Sequence, residues 1–150
     1  MMQKKVQIIS DGSLDLSQEL TKEKDIEVVP FYVSFDSETY QKEMVEVGVR
    51  EFYQEMVDHP TVFPKTSMPS VHDYYEVFEK YAKEQLPVIC ICITKKFSGS
   101  LQSATTAKDM ILEEYQDAQI TVIDSTVNTV LQGLYVLEAV SYTHLTLPTT

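Results

Sequence analysis

Apolar residues follow two rhythms along this chain, and the rhythms alternate. VQIIS (6–10) is a short β-rich run ending in the turn residues Asp11-Gly12-Ser13. LDLSQELTKEKD (14–25) has the spacing of a short amphipathic helix. IEVVPFYVSFD (26–36), rich in Val, Phe and Tyr, predicts a strand. Pro30 inside it lacks an N–H, which puts that strand at an edge or marks its start. SETYQKEM (37–44) predicts an exposed strand or turn. VGVREFYQEMVDH (47–59) returns to helical spacing through Val49, Phe52, Tyr53 and Met56, a stripe expected to pack in the core. PTVFPKTSMPS (60–70) carries Pro60, Pro64 and Pro69, and no helix runs through it.

The second half has stronger signals. SVHDYYEVFEKYAKEQ (70–85) predicts a helix with Ser70 as N-cap and Asp73 completing a capping box. Its apolar face is Tyr74, Val77, Phe78 and Tyr81. PVICICI (87–93) is an uninterrupted apolar strand, the kind buried on both faces of a parallel sheet. SGSLQSATTAKDMILEEY (98–115) predicts a helix, AQITVID (118–124) a strand, and TVLQGLYVLEA (129–139) a last helix. Strands alternating with helices imply an α/β fold, a mostly parallel sheet with helices on both faces. No internal repeat or low-complexity segment interrupts it.

Composition narrows the classes. The 150 residues suffice for one domain with a real core. With 43% apolar and 23% charged residues, the chain is globular rather than disordered. A net charge of −11 argues against nucleic acid and against an anionic membrane surface. No stretch approaches the ~20 apolar residues that span a bilayer. MMQKKVQIIS has an apolar run too short for a secretory signal, and it reads as the approach to a first strand. Cys90 and Cys92 are expected on opposite faces of their strand, as small core residues that neither bridge nor share a metal. Nothing demands an oxidising compartment, so a cytoplasmic location is expected.

The final stretch VSYTHLTLPTT (140–150) departs from this pattern: β-branched residues and a proline follow a helix with no charge among them. Its first residues match, codon by codon, the translation of a transposon-type sequencing adapter. Residues 140–150 are therefore expected to be a non-native tail on an α/β unit spanning 1–139, and His144 is set aside as a catalytic histidine. On this reading the natural protein continues beyond the unit.

Hydroxyls and glycine gather where predicted strands end. The clusters are Asp11-Gly12-Ser13, Thr66-Ser67, Ser98-Gly99-Ser100 and Asp124-Ser125-Thr126. In an open parallel sheet, ligands bind in the crevice beyond the carboxyl ends of the strands. A helix N-terminus there favours an anion, and Gly99 lets the backbone approach it. The chemistry is limited. FSGS is not the G-x-S-x-G elbow, His59 and His72 read as surface residues, and no phosphate loop is present. The Cys and His residues lack metal-ligand spacing, and no carboxylate pair looks tuned for acid–base work. A binder fits better than a catalyst. The alternatives are an α/β enzyme acting on a small carboxylated or phosphorylated substrate, or a non-functional fragment.

Taken in order, SDGSLDL (10–16), IEVVPFYV (26–33), EFYQEM (51–56), KTSMPS (65–70), KFSGSLQSA (96–104), IDS (123–125) and GLYVLEA (133–139) resemble the DegV family of bacterial fatty-acid-binding proteins. The resemblance runs from about Lys5 to Ala139. It implies a fold of two α/β lobes, this chain being the N-terminal one, with a long-chain fatty acid held between them. It places the carboxylate on Thr66 and Ser98, with Ser67 and Gly99 nearby and Asp11, Ser13, Ser100 and Ser125 in support. It implies a carrier with no catalytic residue, metal or cofactor of its own, presenting the lipid to a separate ATP-binding kinase subunit that forms the acyl phosphate for phospholipid synthesis. The sequence departs from the family at Met68, where glutamine is usual, at Leu131, which replaces a glycine, and at Gly12, where serine is common.

Overall fold

The structure is a computed structural model, and it describes residues 4–144. In chain order the first half holds β1 (Gln7–Asp11), α1 (Gln18–Glu23), β2 (Glu27–Val29), β3 (Tyr32–Ser34), β4 (Gln41–Lys42) and α2 (Val49–Asp58). The second holds β5 (Lys65–Ser67), α3 (Val71–Lys83), β6 (Val88–Cys92), α4 (Ser100–Glu114), β7 (Ile120–Asp124) and α5 (Thr129–His144). A single 3-10 turn, Gly12–Leu14, follows β1.

Four strands form a parallel sheet in the order β2-β1-β6-β7. Side chains alternate across it, so each central strand feeds two cores. Ile9, Cys90 and Cys92 pack with Tyr74 and Phe78 of α3 and with Ala104, Ala107 and Ile111 of α4. Ile8 and Ile91 point to the other face and pack with Leu14, Val136 and Val140. Burial on both faces is what the unbroken apolar run at 87–93 encodes. The expected α/β architecture with helices on both faces of the sheet is thus present. Among the described residues, no helix is long and apolar enough to cross a membrane.

Several local expectations are corrected. The run 26–36 is two strands in different sheets. Pro30 ends β2, and β3 pairs antiparallel with β4 and β5 in a separate three-stranded sheet. A residue without an N–H cannot continue a ladder, and here it marks the change of sheet. The segment 60–70 contains β5, too short to show alternation in sequence. The helix at 14–25 shrinks to α1, because Asp15 turns the chain at φ 53° and Ser17 caps the new start. The α2 stripe is not core: Val49 and Tyr53 are exposed and none of the helix is fully buried. Cys90 and Cys92 are two residues apart, so they share a face, with Sγ atoms 3.8 Å apart and both thiols free and buried. Finally, α5 does not stop at Ala139 but runs on to His144, burying Val140. Residues 145–150 of the C-terminal stretch lie outside the described residues.

The approach of α5 depends on Gly133. A Cβ there would overlap the Leu14 carbonyl oxygen and come within 2.9 Å of the Leu16 side chain. Alanine raises helix propensity by about 1 kcal/mol, yet overpacking against backbone costs about 1–3 kcal/mol. Gly133→Ala is therefore expected to lower the midpoint of thermal unfolding, by about 2–4 °C per kcal/mol lost. An unchanged or raised midpoint would show that α5 has room to move.

Candidate functional site

Strand order reverses between β1 and β6, and at that point the carboxyl end of β1 carries Asp11. The residue is fully buried and accepts four hydrogen bonds. Oδ2 takes the Ile93 N–H at 2.9 Å and the Ser100 hydroxyl at 2.9 Å. Oδ1 takes the Gln132 amide at 2.8 Å and the Ser13 N–H at 3.3 Å. Burial raises its pKa, and the four donors do not fully offset that. One carboxylate thus ties together β1, the exit of β6, the first turn of α4, and α5.

The tie extends into the core. Tyr74 of α3 lies with its hydroxyl 2.5 Å from Ser100 Oγ. Ser100 also donates its N–H to Ser98 Oγ at 3.2 Å. Ser98 therefore uses an acceptor and keeps its own O–H proton for another partner. The β7 end joins the same rim, where Ser125 N donates to the Cys92 carbonyl at 3.0 Å. Its hydroxyl is spent locally, donating to the Val127 carbonyl at 3.0 Å.

The remaining cluster arrives from the other sheet. β5 sets Thr66 opposite Val33 and Ser67 opposite Tyr32, and Thr66 and Ser67 are both exposed. The segment after it is anchored at the start of α3. Asp73 Oδ2 takes the Ser70 N–H at 2.8 Å and hydroxyl at 2.7 Å, while Oδ1 takes the Tyr32 hydroxyl at 2.8 Å. Burial pushes the Asp73 pKa up, but the Ser70 and Tyr32 donors and the Lys42 charge outweigh it and hold it below the usual carboxylate range. Between these anchors Met68 reaches the Ser98-Gly99-Ser100 turn. Its Sδ lies 2.6 Å from where a Cβ on Gly99 would sit. A side chain at residue 99 would displace the Met68 thioether, so the glycine lets Met68 lie against this turn.

Thr66 lines a groove of about 620 Å³ that sequence reasoning did not anticipate. Leu16, Val33, Val47, Phe52 and Tyr53 form much of its wall. Val49, Phe52 and Tyr53 of the α2 stripe line this groove, which explains why they are not buried in the core. Ser98 is not in the wall; the Met68–Gly99 contact relates its turn to the strand that carries Thr66. Glu43 also lines the groove. Burial raises its pKa, the Phe31 N–H bonded at 3.1 Å lowers it, and the charges of Asp11 and Asp15 raise it further. Its Oε1 fills the place that a Cβ on Gly12 would take.

His59 and His72 lie on the surface, each beside a glutamate four residues earlier or later in its own helical stretch. Among the described residues, no group of three or more His, Cys, Asp or Glu could hold a metal ion. The site offers hydroxyls, N–H groups and a groove whose wall mixes apolar side chains with the carboxylates of Asp15, Glu19 and Glu43.

A family model described as "uncharacterised protein, DegV family" matches residues 5–144. A DegV domain-containing protein of Clostridium perfringens is 32% identical over 133 residues, covering 89% of this chain and 46% of the relative. The chain thus spans about half the length of that relative. A solved stearic acid-binding protein from Eubacterium ventriosum is 48% identical, with a TM-score of 0.88 over 91% of this chain and 46% of its own. A solved DegV fatty acid binding protein from Bacillus subtilis is 26% identical, with a TM-score of 0.79 over 93% of this chain and 47% of its own. The buried carboxylate at the strand switch, the hydroxyl rim and the half-length match all belong to one chain, and that chain belongs to the DegV family.

Proposed function

We propose that this chain is one lobe of a fatty-acid carrier. The acyl chain lies along the groove beneath α2, and the carboxylate meets Thr66 and Ser98 at the rim. Ser67 and the Gly99 backbone stand close by, and Asp11, Ser13, Ser100 and Ser125 brace the rim. The observation that carries the reading is a groove of about 620 Å³, walled on one side by Leu16, Val33, Val47, Phe52 and Tyr53 and with Thr66 among its lining residues, beside a turn whose serine keeps a free proton. That volume falls within the range of about 300–1,000 Å³ typical of small-ligand pockets. The N-terminus of α4 adds a partial positive charge suited to an anion. Solved relatives that bind stearic acid or fatty acids support the same ligand class.

The carrier has no catalytic group for the lipid. Neutral donors hold one face of the carboxylate and leave its other lone pairs open, which suits transfer of a phosphoryl group by a separate ATP-binding subunit. The function of the complete protein then lies in presentation, in the cytoplasm, with the second lobe closing the site.

The test compares a fatty acid with the matching fatty alcohol on the complete gene product. Thr66→Ala and Ser98→Ala each remove one hydrogen bond to a charged group, about 1.5–3 kcal/mol. Each is expected to weaken acid binding about tenfold to a hundredfold while alcohol binding changes little. Native mass spectrometry of the wild type from bacterial cells should show a bound fatty acid. Lipid-free protein, or variants that bind acid like the wild type, would overturn the reading.

A further inference from the structure

A second hollow of about 230 Å³ adjoins the groove, lined in part by Leu14, Ile26, Val28, Pro30 and Val45. Four residues border both spaces: Leu16, Gln18, Glu43 and Met44. These shared residues stand between the two spaces as a partition, and three observations fix it in place. The Gln18 amide donates to the Met44 carbonyl. The Glu43 carboxylate accepts the Phe31 N–H at 3.1 Å, in space left by Gly12. Met44 itself is held at φ 59°, a left-handed conformation uncommon for a bulky side chain, with its N–H bonded to the Val47 carbonyl at 2.8 Å. A strained, half-buried methionine between two apolar spaces is a pattern associated with function.

We propose that Met44, pinned by Gln18 and by the turn to Val47, is the stop that closes the inner end of the acyl groove and sets the longest chain the site accepts. This rests on the reading of the groove as a fatty-acid site. With the stop in place the tail ends at the partition. With the side chain removed the groove opens into the hollow lined by Ile26, Val28 and Pro30, and further methylenes find apolar walls.

The experiment measures affinity of the complete gene product for saturated fatty acids of about fourteen to twenty-two carbons, where each buried methylene adds about fourfold until space runs out. In the wild type the affinity should climb with length and then break. Met44→Gly should move the break to chains longer by about two carbons or more, since each then gains buried surface. Glycine is at ease at positive φ, so the variant relieves backbone strain rather than adding it. Gln18→Ala, at an exposed position, frees the Met44 carbonyl and should move the break the same way by less. An unmoved break in both folded variants, with fatty acid still bound, would overturn the role of Met44 alone. A wild type that binds no fatty acid of any length would overturn the groove reading and this inference with it.

Discussion

Asp11→Ala is expected to cost about 2–5 kcal/mol of stability. The substitution removes the acceptor for the Ile93 N–H, the Ser100 hydroxyl and the Gln132 amide, all bonded at 2.8–2.9 Å. Two of these donors have fallbacks. Ser100 can turn to Tyr74, 2.5 Å away, and Gln132 keeps its contact to Ser10 Oγ at 3.1 Å. The Ile93 N–H has no such alternative in the bonds it makes, and for this half-buried donor the cost lies toward the low end of the about 1–3 kcal/mol that an unpaired buried group costs. Domains of this size are stable by about 5–15 kcal/mol, so the loss is a large share of the whole. Urea denaturation measures it, and a loss below about 1 kcal/mol would show that the carboxylate is not the tie.

The pH dependence separates charge from shape. Burial raises the Asp11 pKa above its ordinary 3.8, so the folded chain holds the proton more tightly than the unfolded chain. The contribution of this ionisation to stability is fully present below the unfolded pKa and is lost as pH rises through the folded one. Asp11→Asn has no such titration. The stability advantage of wild type over Asp11→Asn should therefore shrink as pH rises from the acid side through that window. An advantage that grows with pH would mean the bonded donors, not burial, dominate the carboxylate.

Much of the scaffold is legible in sequence because a single physical signal dominates each part. The run VICICI could be nothing but a strand covered on both faces, and Ser70 with Asp73 announces the start of α3. The hydroxyl clusters were legible as strand ends, and the fold gathers three of them through Asp11, Ser100 and Ser125. What they do there was less visible. Ser100 and Ser125 are spent on structural bonds, a fact that no one-dimensional pattern carries. The groove itself was hidden because the stripe on α2 has the spacing of a core face. A helix that lines an open groove and one that seals a core share the same periodicity. Glu43 and Met44 sit in a segment whose polarity suggested an exposed strand or turn; their importance comes from Gly12 and Gln18, far away along the chain. Gln132 left a weak trace, a glutamine within an apolar helix, and its burial against Asp11 gives that trace its meaning. The cysteine expectation failed on simple geometry, since residues two apart on a strand face the same way.

On the proposed carrier reading, shortening the ligand should matter far more than removing either hydroxyl. A fatty acid of about ten carbons buries six fewer methylenes than one of about sixteen, and at about 0.8 kcal/mol each this forfeits about 5 kcal/mol, or between a thousandfold and ten-thousandfold in affinity. Loss of the Thr66 or Ser98 hydroxyl forfeits about 1.5–3 kcal/mol. The tail therefore decides whether the lipid binds, and the rim decides which way its acid faces. That division suits a carrier whose cargo must be chemically altered while bound: the alteration changes the head, where little binding energy resides, and leaves the tail in place. Displacement of a fluorescent fatty acid by acids of graded length measures the effect on the complete gene product. If the ten-carbon acid binds within about tenfold of the sixteen-carbon acid, the groove beneath α2 contributes little to holding the chain, and the head-group contacts at Thr66 and Ser98 must carry the affinity instead.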